Sequence, residues 1–343
     1  MASLQQELLR WYDRSARDLP WRRTRDPYAV WVSEIMLQQT RVETVIPYYE
    51  RFLARFPTAR ALAEADEDAV LSEWSGLGYY RRARLLHAGV QEVMARYGGE
   101  VPEDTDARRR LPGIGRYTAG AIGSIAFGNP EPVVDGNVTR VLARLFRIDT
   151  PVGAAATTKR LWQEAERLVP KERPGDFNQA LMELGATVCT PKQPRCHACP
   201  LIARCEAHAY EEVERLPVSQ SKKSPLPLGL AAVVTTSGSG EDRKVWLVKG
   251  EGALFGGLWG VPMTERSPRE ALDEARLRAR LAREPVGKVK HLLTHRRLSI
   301  DVYRATGARG TESGSRRAFA ADQLEEVGIS TLTRKILDAA SFR

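Results

Sequence analysis

All four cysteines of the chain lie in one stretch, at Cys189, Cys196, Cys199 and Cys205, with the spacing C-x6-C-x2-C-x5-C. This loop constrains the fold more than any other feature, because it must end on one shared ligand or on local cross-links. Four thiolates converging from a short segment are what an iron–sulfur cluster or a zinc ion requires. Disulfides are the alternative. The opening Met1-Ala2-Ser3-Leu4-Gln5-Gln6-Glu7 lacks the basic head and apolar core of a secretory segment, which points to a reducing compartment and a cytoplasmic protein. Zinc ligands usually come as two close pairs, whereas Cys189 and Cys205 stand apart from the central Cys196-x-x-Cys199. That favours a [4Fe–4S] cluster.

The chain has 343 residues, enough for two domains. Apolar residues recur at helical spacing in 30–56, 81–97, 117–127 and 138–148, so the first part reads as mainly α. Residues 211–227 turn polar and basic around Ser219-Gln220-Ser221-Lys222-Lys223-Ser224, the composition of a linker. Beyond it, 228–236 and 244–249 read as strands around a Ser237-Gly238-Ser239-Gly240 turn, 268–284 as a helix, and 288–305 as one or two strands. The expected organisation is a helical domain over 1–210, a linker over 211–227 and a smaller α+β domain over 228–343. No apolar run reaches membrane-spanning length. Net charge is +9. Clusters such as Arg81-Arg82-Ala83-Arg84 and Arg108-Arg109-Arg110 suit phosphate contacts, although a merely soluble basic surface has the same composition.

Leu111-Pro112-Gly113-Ile114-Gly115 before a helix from Arg116 reads as a helix-hairpin-helix. Gly113 and Gly115 let the chain turn, and the free N–H groups of the next helix can hold a DNA phosphate. An ordinary Gly-rich helix connection is the alternative. Twenty residues on stands Val133-Val134-Asp135-Gly136-Asn137-Val138. Asp135 can cap the helix that begins there, and a helix N-terminus also favours its ionised form. Glu34 sits among Trp31, Val32, Ile35 and Leu37. It is either a solvated helix glutamate or a desolvated acid that keeps its proton near neutrality.

Hairpin, acidic segment and cysteines together resemble the helix-hairpin-helix DNA glycosylases of the endonuclease III superfamily. Trp31-Val32-Ser33-Glu34-Ile35-Met36-Leu37-Gln38-Gln39-Thr40 is similar to the signature of MutY-type adenine DNA glycosylases. The resemblance implies that Glu34 protonates adenine at N7 and that Asp135, beside Asn137, stabilises the cation at C1′. Two carboxyls whose environments push their pKa values apart would suit these roles. Endonuclease III-type enzymes carry a Schiff-base lysine after G-x-G-R, where this chain has Tyr117. A tyrosine cannot form that adduct, so the implied enzyme is monofunctional and uses water. Packing against the hairpin is the plainer role for Tyr117.

Within Gly76-Leu77-Gly78-Tyr79-Tyr80 the resemblance makes Tyr79 a wedge between bases and Tyr80 core. Gln39 matches a glutamine entering the same stack, and Trp21, Arg22 and Gln179 map onto residues lining an adenine pocket. Arg195 and Arg204, flanking the cysteines, are expected to face phosphates.

The second domain resembles the family's Nudix-like module at Leu254-Phe255-Gly256-Gly257-Leu258-Trp259-Gly260-Val261-Pro262. Arg269-Glu270-Ala271-Leu272-Asp273-Glu274 keeps half of a Nudix metal box, but Val261, Phe255 and Arg276 replace its upstream glutamate and two glycines. Too few carboxylates remain for metal-activated hydrolysis, so the domain is expected to read rather than react. Thr294 and His295 would read 8-oxoguanine, with Leu293-Thr294 standing where relatives commonly have Phe-Ser. A strand-packing threonine and a surface histidine are the alternative. The implied protein is a monomeric, nucleoid-associated DNA N-glycosylase of base excision repair. Its expected partner is double-stranded DNA with adenine opposite 8-oxoguanine or guanine. A thymine or uracil glycosylase, a DNA-binding scaffold and a nucleotide pyrophosphohydrolase are the rival readings.

Overall fold

A computed structural model of the protein describes residues 3–219, 224–251 and 255–342. Gln220 to Lys223, at the centre of the linker, and Leu254 of the glycine-rich segment lie outside the described residues. Two compact units are present: 1–63 with 88–221, and 64–87 with 222–343.

The helices are, in order, α1 (Leu4–Ser15), α2 (Pro27–Leu37), α3 (Val42–Arg55), α4 (Ala59–Ala63), α5 (Glu67–Glu73), α6 (Arg81–Tyr97), α7 (Thr105–Arg110), α8 (Arg116–Ile125), α9 (Gly136–Leu145), α10 (Ala155–Leu168), α11 (Pro174–Thr187), α12 (Glu206–Ala209), α13 (Pro268–Glu274) and α14 (Thr331–Ala339). Several starts are set locally. Ser3 and Gln6 form a capping box, Asp26 accepts from the Tyr28 N–H ahead of Pro27, and Asp104 accepts from the Ala107 N–H. The long helical period over 30–56 is two helices, because the chain leaves α2 at Gln38 and Gln39 takes a φ of +57°.

Every residue of α2 from Tyr28 to Met36 is buried, as expected of a core helix apolar on all sides. Trp31, Val32 and Met36 have no exposed surface, and burial of each contributes roughly 1.5–3 kcal/mol. The other core of the first unit gathers Val138, Leu142, Phe177, Leu181 and Leu184 from α9 and α11. Glycines set two close approaches there. A Cβ on Gly120 would stand 2.3 Å from the Pro132 carbonyl oxygen, and one on Gly185 would stand 2.7 Å from Asn137 Cβ. The segment through Val133 therefore lies along α8, and α11 lies against the start of α9.

The second unit is built on a mixed sheet of β1 (Leu226–Ser237), β2 (Lys244–Lys249), β3 (Trp259–Gly260), β4 (Met263–Thr264), β5 (Arg278–Leu281), β6 (Gly287–Leu292), β7 (Arg296–Arg309) and β8 (Arg316–Phe319). Its order is β3-β2-β1-β7-β5, with β4 on β1, β6 on β7 and β8 on β2. The long β1–β7 pair is parallel, Leu226 opposite Arg296 through Thr235 opposite Ala305. Expected helix 268–284 stops at Glu274. Arg276 turns left-handed at φ +52° and 278–281 pairs with β7 instead. Sheet pairing there overrides the helix preference of an Ala-, Leu- and Arg-rich run.

Residues 64–87 pack into this unit. Ser72 Oγ donates to the Glu325 carbonyl (2.8 Å), and Ser75 Oγ and Tyr80 Oη both donate to that of Ile329 (3.1 Å each). Asp68 accepts from Lys249 Nζ at 2.8 Å and Trp259 Nε1 at 3.3 Å.

Candidate active site

A cavity of about 640 Å³ in the first unit is lined by Glu34, Tyr117, Asp135, Asn137, Trp21, Arg22, Gln39, Gln179, Gly113 and Gly115. Its size falls in the range of small-ligand sites. Glu34 reaches it from α2, Tyr117 from the first turn of α8, and Asp135 from the residue capping α9. Buried Glu34 (4% exposed) accepts a hydrogen bond from Tyr117 Oη at 2.6 Å. Loss of hydration pushes its carboxyl up to about 7, with the Asp135 charge adding to this and Tyr117 and Arg22 opposing it. The same hydroxyl lies 3.2 Å from Met182 Sδ.

Asp135 caps α9. Its Oδ1 accepts from the Val138 N–H at 2.7 Å, and its Oδ2 accepts from Asn137 Nδ2 at 3.2 Å. Burial raises this carboxyl too, while the backbone N–H groups, Arg140 and Asn137 restrain the rise. The two carboxyls are therefore not driven in opposite directions. Glu34 goes furthest because it has a single hydrogen bond to oppose its burial, where Asp135 has several.

Of the two hairpin glycines, only Gly113 (φ +78°) needs glycine's conformational freedom. Gly115 has extended backbone and nothing near its missing side chain. It caps α8 without a side-chain hydrogen bond, leaving the first N–H groups accessible.

Arg17 and Glu183 were not anticipated, yet both line the cavity. Glu183 stands one helical turn after Gln179, a position whose significance only the fold reveals. Its side chain has no exposure and pairs with Arg17 (2.7 Å) and Arg22 (2.8 Å). These guanidiniums hold it below the usual carboxylate range against the opposing effect of burial.

No disulfide joins the four cysteines. Cys196 and Cys205 lie in short 3-10 turns or at their ends. Fully buried Arg144 donates to Cys189 Sγ at 3.3 Å and to the Thr190 carbonyl at 2.8 Å. Arg140 joins the Cys189 carbonyl (2.7 Å) to Asn137 Oδ1 (2.8 Å). An all-thiol donor set beside a buried guanidinium fits an anionic thiolate-bound cluster. Among the described residues no three His, Cys, Asp or Glu side chains are gathered closely enough to hold a metal ion.

One arginine expectation is corrected. Arg108 is fully buried against Glu131, where it is structural rather than phosphate-facing. Arg204 pairs with Glu7 at 2.9 Å. Arg195 is exposed and donates to the Thr187 carbonyl at 2.7 Å.

Tyr79, Thr294 and His295 come together in the second unit. Tyr79 is 50% exposed with a left-handed backbone (φ +49°), and its hydroxyl lies 3.2 Å from Thr294 Oγ1 in the β6–β7 connection. His295 is exposed beside it. Glu270 accepts from Ser267 Oγ, and Asp273 faces Arg269 at 3.7 Å.

Residues 32–170 match the family model of the HhH-GPD superfamily base excision DNA repair proteins, and 238–339 match that of the NUDIX domain. Human adenine DNA glycosylase is 38% identical over 86% of this chain and 65% of its own. For mouse adenine DNA glycosylase the figures are 37%, 88% and 70%. The chain thus spans about two thirds of the length of these relatives. A solved thermostable thymine-DNA glycosylase is 31% identical, with a TM-score of 0.54 over 60% of this chain and 95% of that one.

Proposed function

Because the chain belongs to the adenine DNA glycosylases of the HhH-GPD base excision repair superfamily, we propose that it hydrolyses the N-glycosidic bond of adenine in duplex DNA where adenine faces 8-oxoguanine or guanine. The observation that carries this reading is buried Glu34, held by Tyr117 in a cavity that Asp135 shares. As the C1′–N9 bond breaks, its electron pair leaves with the base, and Glu34 delivers a proton to N7. Asp135 offsets the positive charge at the sugar. Water then adds to C1′ and passes its proton to the Glu34 carboxylate, which restores the acid. Tyr117 orients Glu34 and, having no amine, forms no Schiff base, which makes the enzyme monofunctional. Trp21, Arg22 and Gln179 line the base pocket, and the α8 N-terminus with Gly113 and Gly115 holds a backbone phosphate.

Cys189, Cys196, Cys199 and Cys205 would hold a [4Fe–4S] cluster, which when bound organises a DNA-facing loop. In the second unit Tyr79 wedges into the stack and Thr294 with His295 reads the lesion, while Gln39 enters the same stack. The adenine reading is preferred to thymine removal because similarity to the human and mouse adenine enzymes covers 86% and 88% of the chain, whereas likeness to the thymine enzyme covers 60% of it.

The test is base release from duplexes with adenine opposite 8-oxoguanine, guanine, cytosine or thymine, and with thymine opposite guanine. Adenine should be released from the first two only, and borohydride should trap little covalent adduct. Faster thymine release would transfer the protein to the other specificity, and efficient trapping would end the monofunctional assignment.

A further inference from the structure

The wall of the cavity holds an ion cluster whose carboxylate the chemistry above leaves unused. The Glu183 carboxylate accepts from the Arg17 backbone N–H (3.3 Å), Arg17 Nε (2.7 Å), Arg17 Nη2 (2.9 Å) and Arg22 Nη2 (2.8 Å). Arg22 Nη1 donates to the Arg17 carbonyl at 3.0 Å, and its guanidinium lies over the Tyr12 ring at 5.4 Å. One fully buried anion therefore secures two cations beside a cavity that Glu34 also lines. An unsecured guanidinium in such a space would pair with the nearest carboxylate, and such charge-assisted pairs are strong. Pairing with Glu34 would favour its ionised form, the wrong state for a proton donor.

We propose that Glu183 is a positioning residue: it clamps Arg17 and Arg22 to the cavity wall and so withholds the Arg22 guanidinium from Glu34. The proposal rests on Glu34 being the proton donor. Tyr117, Asp135 and Arg22 are the groups acting on Glu34, and of these Tyr117 and Arg22 favour its charged form. Around the clamp stand Tyr12, Asp13, Glu43 and Asp176. Asp13 and Asp176 are engaged by Arg173, and among the described residues Glu183 is the carboxylate that accepts from both guanidiniums.

Glu183→Gln keeps the shape and one acceptor oxygen but removes the anion. In single-turnover release of adenine opposite 8-oxoguanine, the wild-type rate should fall as pH rises through about 7. In the variant this limb should move down by about one pH unit, giving about a tenfold loss above neutrality and little loss near pH 5.5. Adding Arg22→Gln should return the limb toward its wild-type position. Carboxyl-labelled NMR of the DNA-free protein, with the Glu34 signal assigned through Glu34→Gln, should show the same displacement. A uniform loss at every pH, or an unmoved Glu34 midpoint, overturns the proposal. If Glu183→Gln does not fold, Glu183→Asp retracts the carboxylate by one methylene, and an unmoved midpoint there overturns it equally. Absence of adenine release by the wild type would refute the functional reading, while the NMR midpoint would still decide the clamp.

Discussion

Glu34 lies on a helix buried from Tyr28 to Met36, so little hydration is left to stabilise its charged form. Its carboxyl rises from 4.5 to about 7. Protonation is what the proposed chemistry requires, so base release should decline as pH rises through that value. Glu34→Gln and Asp135→Asn should each slow release by roughly a hundredfold to ten-thousandfold while leaving DNA binding largely intact, as gel-shift and single-turnover assays would show. Near-wild-type rates in either variant would remove that residue from the mechanism. Stability follows the same shift. The folded chain holds a proton through a window, 4.5 to about 7, in which the unfolded chain releases it. Stability from this group is complete below that window and lost across it. Glu34→Gln should therefore stabilise the fold at pH 8 relative to pH 4 by about 1–3 kcal/mol, read from urea unfolding at both pH values. An identical effect at the two pH values would contradict the raised pKa.

At the scale of elements, the site depends on how closely helices meet. Gly185 of α11 touches Asn137 at the start of α9, where an added Cβ would stand 2.7 Å from Asn137 Cβ and 3.0 Å from its carbonyl oxygen. Gly185→Ala should cost about 1–3 kcal/mol by overpacking and displace Asn137 and Asp135, lowering release more than DNA binding. An alanine variant with unchanged melting and rate would show that α11 can yield there. The cysteine loop has its own expected outcome. Protein purified anaerobically should be yellow-brown with about four iron atoms per chain, and Cys199→Ser should weaken DNA binding or folding before it affects chemistry. Stoichiometric zinc without iron would overturn the cluster.

For the whole molecule, the course of residues 64–87 bears on what the C-terminal region does. Buried Val70, Leu71 and Trp74 flank the hydrogen bonds to Glu325 and Ile329, and a Cβ on Gly328 would stand 2.5 Å from that of Leu71. Deleting the chain after about Arg215 should leave the base cavity but strip this segment of its packing. Hydrogen exchange should then quicken in 64–87, and preference for 8-oxoguanine over guanine should fall more than adenine release itself. Unchanged exchange there would mean the segment stands without the sheet. Much of this protein was legible in its sequence because the signals are local. The cap at Asp135, the turn at Gly113 and the cysteine spacing each act within a few residues. The cavity residues Glu34, Tyr117 and Asp135 were found through their motifs. What the sequence alone determined is therefore the mainly α and α+β halves, the catalytic candidates and the thiol loop. Only the tertiary structure decided that Arg108 is core, that 64–87 packs with the C-terminal sheet, and that Glu183 meets Arg17 and Arg22. Those last partners are 166 and 161 residues apart, and no local periodicity records a contact that exists only once distant helices have packed.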